Sequence, residues 1–96
     1  MHIETRGSGP DLVMLHGWAM HGGIFAPFAD ALAAHFTLHV VDLPGHGFSH
    51  DDTGTLDPVE CARRIAEAAP RAIWLGWSLG GLIALRAALD RPDRVR

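Results

Sequence analysis

The chain has 96 residues, 48% of them hydrophobic and 20% charged, and a formal net charge of −3. That composition excludes a disordered polar chain and suits one domain with one modest core. No basic block or stripe is present for nucleic acid, no apolar run approaches the roughly 18 residues of a membrane span, and a lone Cys61 excludes an internal disulfide.

The first ten residues, MHIETRGSGP, lack the apolar stretch of a secretory signal, so a cytoplasmic protein is the expectation. Residues 2–8 alternate weakly and read as a first strand ending at Gly7 and Gly9. Residues 11–17, DLVMLHG, are a short apolar run closed by glycine, which suits a buried strand. In residues 23–36, Ile24, Phe28, Ala31 and Leu32 recur at helical spacing, and Pro27 is admissible only in that helix's first turn. Thr37 to Val41 give another strand, followed by a glycine-rich turn from Asp42 to Ser49.

A second helix has clear start signals: Asp57 as N-cap, Pro58 at N1 and Glu60 at N3, a variant of the capping box. Its apolar face is Val59, Ala62, Ile65, Ala66 and Ala69, and Pro70 ends it. Ala72 to Trp77 form a fourth strand. The helix after Ser78 carries Leu82, Leu85 and Leu89 on one stripe with Ile83 and Ala87 beside it, and Asp90-Arg91-Pro92 stops it. Arg94-Val95-Arg96 reads as the start of another strand. Strands alternating with helices imply βαβ units with right-handed crossovers. The fold class is therefore α/β, with a mostly parallel sheet flanked by helices.

Gly76-Trp77-Ser78-Leu79-Gly80 stands at a strand-to-helix junction. G-x-S-x-G there is the signal of a nucleophile elbow, a tight turn that exposes a serine hydroxyl above the sheet. Glycines on either side let strand and helix approach without Cβ clashes. The helix N-terminus favours an oxyanion, and the Leu79 N–H is one candidate donor. The bland alternative is a packing turn with a helix-capping serine. A second donor must come from the loop after an earlier strand. His16-Gly17-Trp18 closes such a strand, and the Trp18 N–H is the candidate. Otherwise His16-Gly17 is a strand-end turn with a hydrogen-bonded histidine, and Trp18 a core or cleft aromatic. The G-x-G of Gly45-His46-Gly47 raises a dinucleotide site, but His50 stands where a third glycine belongs. This stretch reads as a structured turn beside the active site.

In order and spacing, LHGW, DLPGHGFS and GWSLGG together resemble the α/β-hydrolase family over essentially the whole chain. Within it, the wording is most similar to the biotin-pathway esterases. The resemblance implies Ser78 as nucleophile, an oxyanion hole from the Trp18 and Leu79 N–H groups, and Trp18 lining the acyl pocket. Gly76 and Gly80 would permit the elbow, with His16 and Gly17 forming the oxyanion loop. It implies an acyl-ester substrate carried on acyl carrier protein, and neither a metal nor an organic cofactor.

In that family the triad acid and histidine follow the serine. Leu79 to Arg96 contain Asp90 and Asp93 but no histidine, and all 7 histidines precede Ser78. His16 and His46 could lie near the top of the sheet, but they read as turn histidines bonded to backbone or water. The expectation is residues 1–96 as the N-terminal part of a single α/β-hydrolase domain, weak or inactive alone. The Ala72–Trp77 strand would then be an open apolar edge, so the isolated chain would dimerise, aggregate or lose order, whereas the full-length protein would be a monomer. A thioesterase, lactonase or acyltransferase of the same fold stays open, as does a non-catalytic binding module.

Overall fold

Gly7 and Gly9, at φ 94 and 118, turn strand β1 (Ile3–Gly7) into strand β2 (Asp11–Leu15) in the computed structural model, which describes residues 1–96. A Cβ at Gly7 would stand 2.3 Å from the Phe36 carbonyl oxygen, so close approach as well as handedness requires glycine there. A 3-10 turn (Gly22–Phe25) leads into helix α1 (Ala26–Ala33), then strand β3 (Thr37–Val41). A second 3-10 turn (Gly47–Ser49), helix α2 (Pro58–Ala68), strand β4 (Ile73–Gly76) and helix α3 (Leu79–Asp90) follow.

The sheet order is β1-β3-β2-β4. β2 pairs in parallel with both β3 and β4, and only β1 runs antiparallel, along β3. From Leu12 to Leu15 β2 is apolar because both its faces are covered. Leu12 and Met14 point at α1, joining Phe25, Ala29 and Leu38. Val13 and Leu15 point the other way, onto Ile65 of α2 and Ile83 and Ala87 of α3. Val95 makes a parallel bridge to Ala72, so residues 94–96 do begin pairing on β4's outer side.

Three helix faces differ from the periodicity reading. In α1 the inward residues are Phe25 and Ala29, with Leu32, Ala33 and Phe36 beside them, while Phe28 is 63% exposed. The 3-10 turn before Ala26 sets the phase, and Pro27 sits in the first turn as it must. In α2, Cys61 is buried and Val59 faces out. Asp57 is the N-cap residue, but its side chain makes no capping bond, and Glu60 pairs with Arg63 instead of closing a capping box. The loop before α2 is held by Asp52, whose carboxylate accepts from Arg64 Nη2 at 2.8 Å. That guanidinium, helped by the Gly54 N–H, holds Asp52 well below the usual carboxylate range.

The largest difference is in α3. Gly80, Ile83 and Ala87 are buried, whereas Leu82, Leu85 and Leu89 are all more than half exposed. Small residues let α3 lie close to the sheet and α2. The helix is apolar on nearly every side, the pattern of one covered all round. Ile73 and Leu75 on β4 are exposed as well. A polypeptide of residues 1–96 should therefore self-associate, and sedimentation velocity should show dimers and larger species. Exchanging Leu82, Leu85 and Leu89 for glutamine should reduce them; a monomer with a sharp two-state melt would contradict this.

Candidate active site

The strand-to-helix turn after β4 is built around Ser78, whose φ of 54 and ψ of −113 lie outside the regions open to most side chains. Such backbone costs about 1–3 kcal/mol and persists only where its surroundings enforce it. Here they do. The Trp77 N–H donates to the Leu15 carbonyl at 3.0 Å, and the Gly80 N–H to the Trp77 carbonyl at 2.9 Å. A Cβ on Gly76 would stand 2.2 Å from the Gly80 oxygen, and one on Gly80 would stand 2.3 Å from the Leu15 oxygen. Strand, turn and helix thus touch backbone to backbone. The Ser78 hydroxyl is exposed and does not cap α3. Leu79 is the first residue of α3, so its N–H has no carbonyl one turn back within the helix.

The loop after β2 packs directly on this turn. A Cβ on Gly17 would lie 3.1 Å from Trp77 Cδ1 and 3.3 Å from Ser78 Cβ. The Trp18 N–H donates to no backbone acceptor, and the residue is 69% exposed. The Met20 N–H closes a turn onto the Gly17 carbonyl at 3.2 Å. Ala19, inside that turn, is the other non-glycine residue with positive φ, at 66.

His16 is fully buried and both its ring nitrogens are engaged. Nδ1–H donates to the Gly17 carbonyl at 2.6 Å, and Nε2 accepts the Leu43 N–H at 3.0 Å. His46 repeats the arrangement: Nδ1–H donates to the Pro44 carbonyl at 2.9 Å, and Nε2 accepts the Ala19 N–H at 2.8 Å. Both are turn histidines bonded to backbone, as the sequence reading holds, and neither has a nitrogen free to take a serine proton. Their rings lie 5.2 Å apart.

The sequence reading missed what Asp42 does. Its buried carboxylate accepts the Gly22 N–H at 2.6 Å and the Phe48 N–H at 2.9 Å, tying the Asp42–Ser49 turn to the entrance of α1. The available signal was an acid ending a buried strand just before a glycine-rich turn.

Burial, above all, pushes the His16 pKa below the ordinary 6.5, and the bond to the Gly17 carbonyl offsets part of this. The unfolded chain takes up that proton as pH falls through about 6.5, while the folded chain resists until the lowered value. His16 should therefore have no effect on stability well above pH 7. Below about 6.5 it should erode stability by up to about 1.4 kcal/mol per pH unit. Urea midpoints from pH 7.5 to 5.5 should fall more steeply for the native sequence than for His16→Asn; equal slopes would refute this.

The largest cleft, about 550 Å³, lies elsewhere, between α1, β1 and the second 3-10 turn, and includes Glu4, Arg6, Phe25 and Phe48. Near Ser78 there is only an apolar groove of about 180 Å³, bounded by Phe28, Leu75 and Trp77. No three His, Cys, Asp or Glu side chains are grouped to hold a metal ion, and no helix is long and apolar enough to cross a membrane.

A model of the alpha/beta hydrolase fold family matches residues 10–96. The chain belongs to the α/β-hydrolase family. Curated relatives of this α/β-hydrolase chain include a pimeloyl-[acyl-carrier protein] methyl ester esterase of Xanthomonas campestris pv. campestris, 61% identical over 97% of the chain and 37% of that protein. The Stenotrophomonas maltophilia protein of the same name is 60% identical over 96% of the chain and 36% of its own length. The chain thus spans little more than a third of these relatives. Among solved structures, E-2-(acetamidomethylene)succinate hydrolase matches with a TM-score of 0.87 at 33% identity, over 98% of this chain and 37% of that one. An N-acyl homoserine lactone degrading enzyme also has a TM-score of 0.87, at 31% identity, over 98% and 38%.

Proposed function

We propose that these residues are the N-terminal part of a single-domain serine carboxylesterase that cleaves the methyl ester of a pimeloyl chain carried on acyl carrier protein, in biotin synthesis. The observation that carries the chemistry is Ser78, exposed and held at φ 54, with the Gly17 loop, whose next residue Trp18 has an unbonded N–H, packed against it. A turn that only packs does not need a strained serine. The substrate rests on the name shared by relatives about 60% identical.

In this reading Ser78 Oγ attacks the ester carbonyl carbon, and a histidine outside residues 1–96 takes the hydroxyl proton. The carbonyl oxygen becomes an oxyanion facing the Trp18 and Leu79 N–H groups at the positive end of α3. Collapse expels methanol, which receives the proton, and leaves an acyl-serine. Water then adds to that acyl carbon and frees the carboxylate. His16 and His46 do not supply the base, because both are committed to backbone. Residues 1–96 alone are therefore inactive or nearly so. The full-length protein acts as a cytoplasmic monomer without metal or organic cofactor.

The test has two parts, both on the full-length protein. A fluorophosphonate probe should label Ser78, identified by peptide mass. Turnover of pimeloyl-carrier methyl ester should exceed that of short p-nitrophenyl esters and of an acyl homoserine lactone. An unlabelled Ser78 would refute the nucleophile. Faster lactone opening would favour a second reading, lactone hydrolysis, which the fold match to the lactone-degrading enzyme supports.

A further inference from the structure

Away from Ser78, a second hydroxyl faces a histidine that a carboxylate holds. Thr5 of β1 and His39 of β3 stand directly opposite each other. The Asp42 N–H donates to the His2 carbonyl, so His2 and Asp42 are on the bonded phase of this antiparallel ladder. The phases alternate, which makes Thr5 and His39, three residues on, a non-hydrogen-bonded pair, the kind that brings side chains closest. Thr5 Oγ1 lies 3.5 Å from His39 Nδ1. On the other side of His39, Asp11 is two residues before Val13, which pairs with His39, and so shares its face of the sheet. His39 Nε2–H donates to Asp11 Oδ1 at 2.8 Å. The imidazole is buried and Thr5 is exposed.

The carboxylate decides what the ring can do. An ionised Asp11 only accepts, so in the neutral ring Nε2 carries the proton and Nδ1 keeps its lone pair, which faces the Thr5 hydroxyl. Hydroxyl, base and orienting acid thus follow the order that activates a serine or threonine nucleophile, with the two ring nitrogens exchanged. The 3.5 Å separation is longer than a firm hydrogen bond, and such contacts tighten when a reactant arrives. The hydroxyl is also reachable. β1 and β4 are the two edges of the sheet, and the bridge from Val95 to Ala72 extends it at β4, the edge far from Thr5.

We propose that Thr5 is a second acyl-accepting site, which His39 and Asp11 activate toward esters with a good leaving group, such as aryl esters. Thr5 Oγ attacks the acyl carbon, and His39 Nδ1 takes the hydroxyl proton. The bond from that carbon to the leaving oxygen breaks, His39 hands the proton to the departing oxygen, and O-acyl-threonine remains. A strand edge offers no pair of converging N–H groups like those read at the Ser78 turn, so an alkyl ester with a poor leaving group does not react there. The site is independent of the Ser78 mechanism and stands whatever that serine does.

The test uses the full-length protein carrying Ser78→Ala, so that acyl transfer at Ser78 is removed, with p-nitrophenyl acetate as donor. Peptide mass mapping reads the result, because Thr5 bears the only hydroxyl in residues 1–6. Thr5 should take up acetyl at least about 100-fold faster than Ser8, an exposed hydroxyl just beyond β1. His39→Gln should slow that uptake about 100-fold. Asp11→Asn should do the same, because an asparagine can donate to Nε2 and leave the proton on Nδ1. Thr5→Val should remove the label from residues 1–6. The comparison of Thr5 with Ser8 is made within one folded protein, so it decides the case even where a variant folds poorly. Acetylation of Thr5 no faster than that of Ser8 would overturn the proposal. So would an unchanged rate in His39→Gln or Asp11→Asn, or a label that persists on residues 1–6 of Thr5→Val.

Discussion

Replacing Ser78 with alanine in the full-length protein should lower kcat for ester hydrolysis by about 10⁴–10⁶-fold, equivalent to about 5–8 kcal/mol of transition-state stabilisation. The hydroxyl is exposed and does not cap α3, so its removal leaves no buried polar group unsatisfied. The thermal midpoint should barely move. Ser78→Gly should be equally inactive yet about 1 kcal/mol more stable, because glycine releases the strain at φ 54 and gives back only part of the gain as chain entropy. Steady-state kinetics and denaturant titration on the same preparations check both. Turnover within tenfold of the native rate would remove Ser78 from the mechanism.

Gly80→Ala should be strongly damaging to the fold. Its new methyl would stand 2.3 Å from the Leu15 oxygen and 2.7 Å from the His16 oxygen, and both are backbone atoms. Neither can swing aside as a side-chain tip can. Either β2 and α3 separate or the elbow unwinds, at a cost of about 3 kcal/mol or more. The neighbouring Gly81→Ala is the control. Its methyl would meet nothing closer than the Gly76 oxygen at 3.4 Å, an ordinary contact. Alanine is also the better helix former by about 1 kcal/mol, so Gly81→Ala should be neutral or stabilising. Urea unfolding of the two variants should diverge in sign; equal effects would mean that strand and helix do not meet as closely as the backbone places them.

The strand run, the helix start at Asp57-Pro58 and the serine between glycines were legible in the sequence because each rests on local chemistry: apolar period, fixed proline φ, absent Cβ. The inward faces of the helices were less so. Periodicity marks Leu82, Leu85 and Leu89 as a stripe but carries no sign of which neighbour it meets. The buried side of α3 turned out to be the one with the smaller residues, Gly80 and Ala87, where backbones come closest. In α1, four residues of 3-10 turn before Ala26 shifted the phase, and nothing in the apolar spacing announces such a turn. The histidine grips were beyond reach for another reason. Leu43 and Ala19 meet their rings through backbone N–H groups that every residue but proline has, 27 positions away. Ala19 gives no hint of its left-handed conformation, which its neighbours impose.

The sheet order has a consequence for how the chain is born. β2 sits between β3 and β4, yet Leu12 pairs with Leu38 on one side and with Ile73 on the other. During synthesis at about 5–20 residues per second, one edge of this largely apolar strand waits about 3–12 s for its second partner. Until β4 emerges, the nascent chain presents Leu12 to Leu15 with half their backbone groups unpaired, a template for pairing with any other extended strand. The carbonyl of Leu15, which later anchors the Ser78 turn through Trp77, lies on that waiting edge. The support of Ser78 therefore cannot form until β4 has emerged, and the open edge of β2 is exposed to mispairing until then.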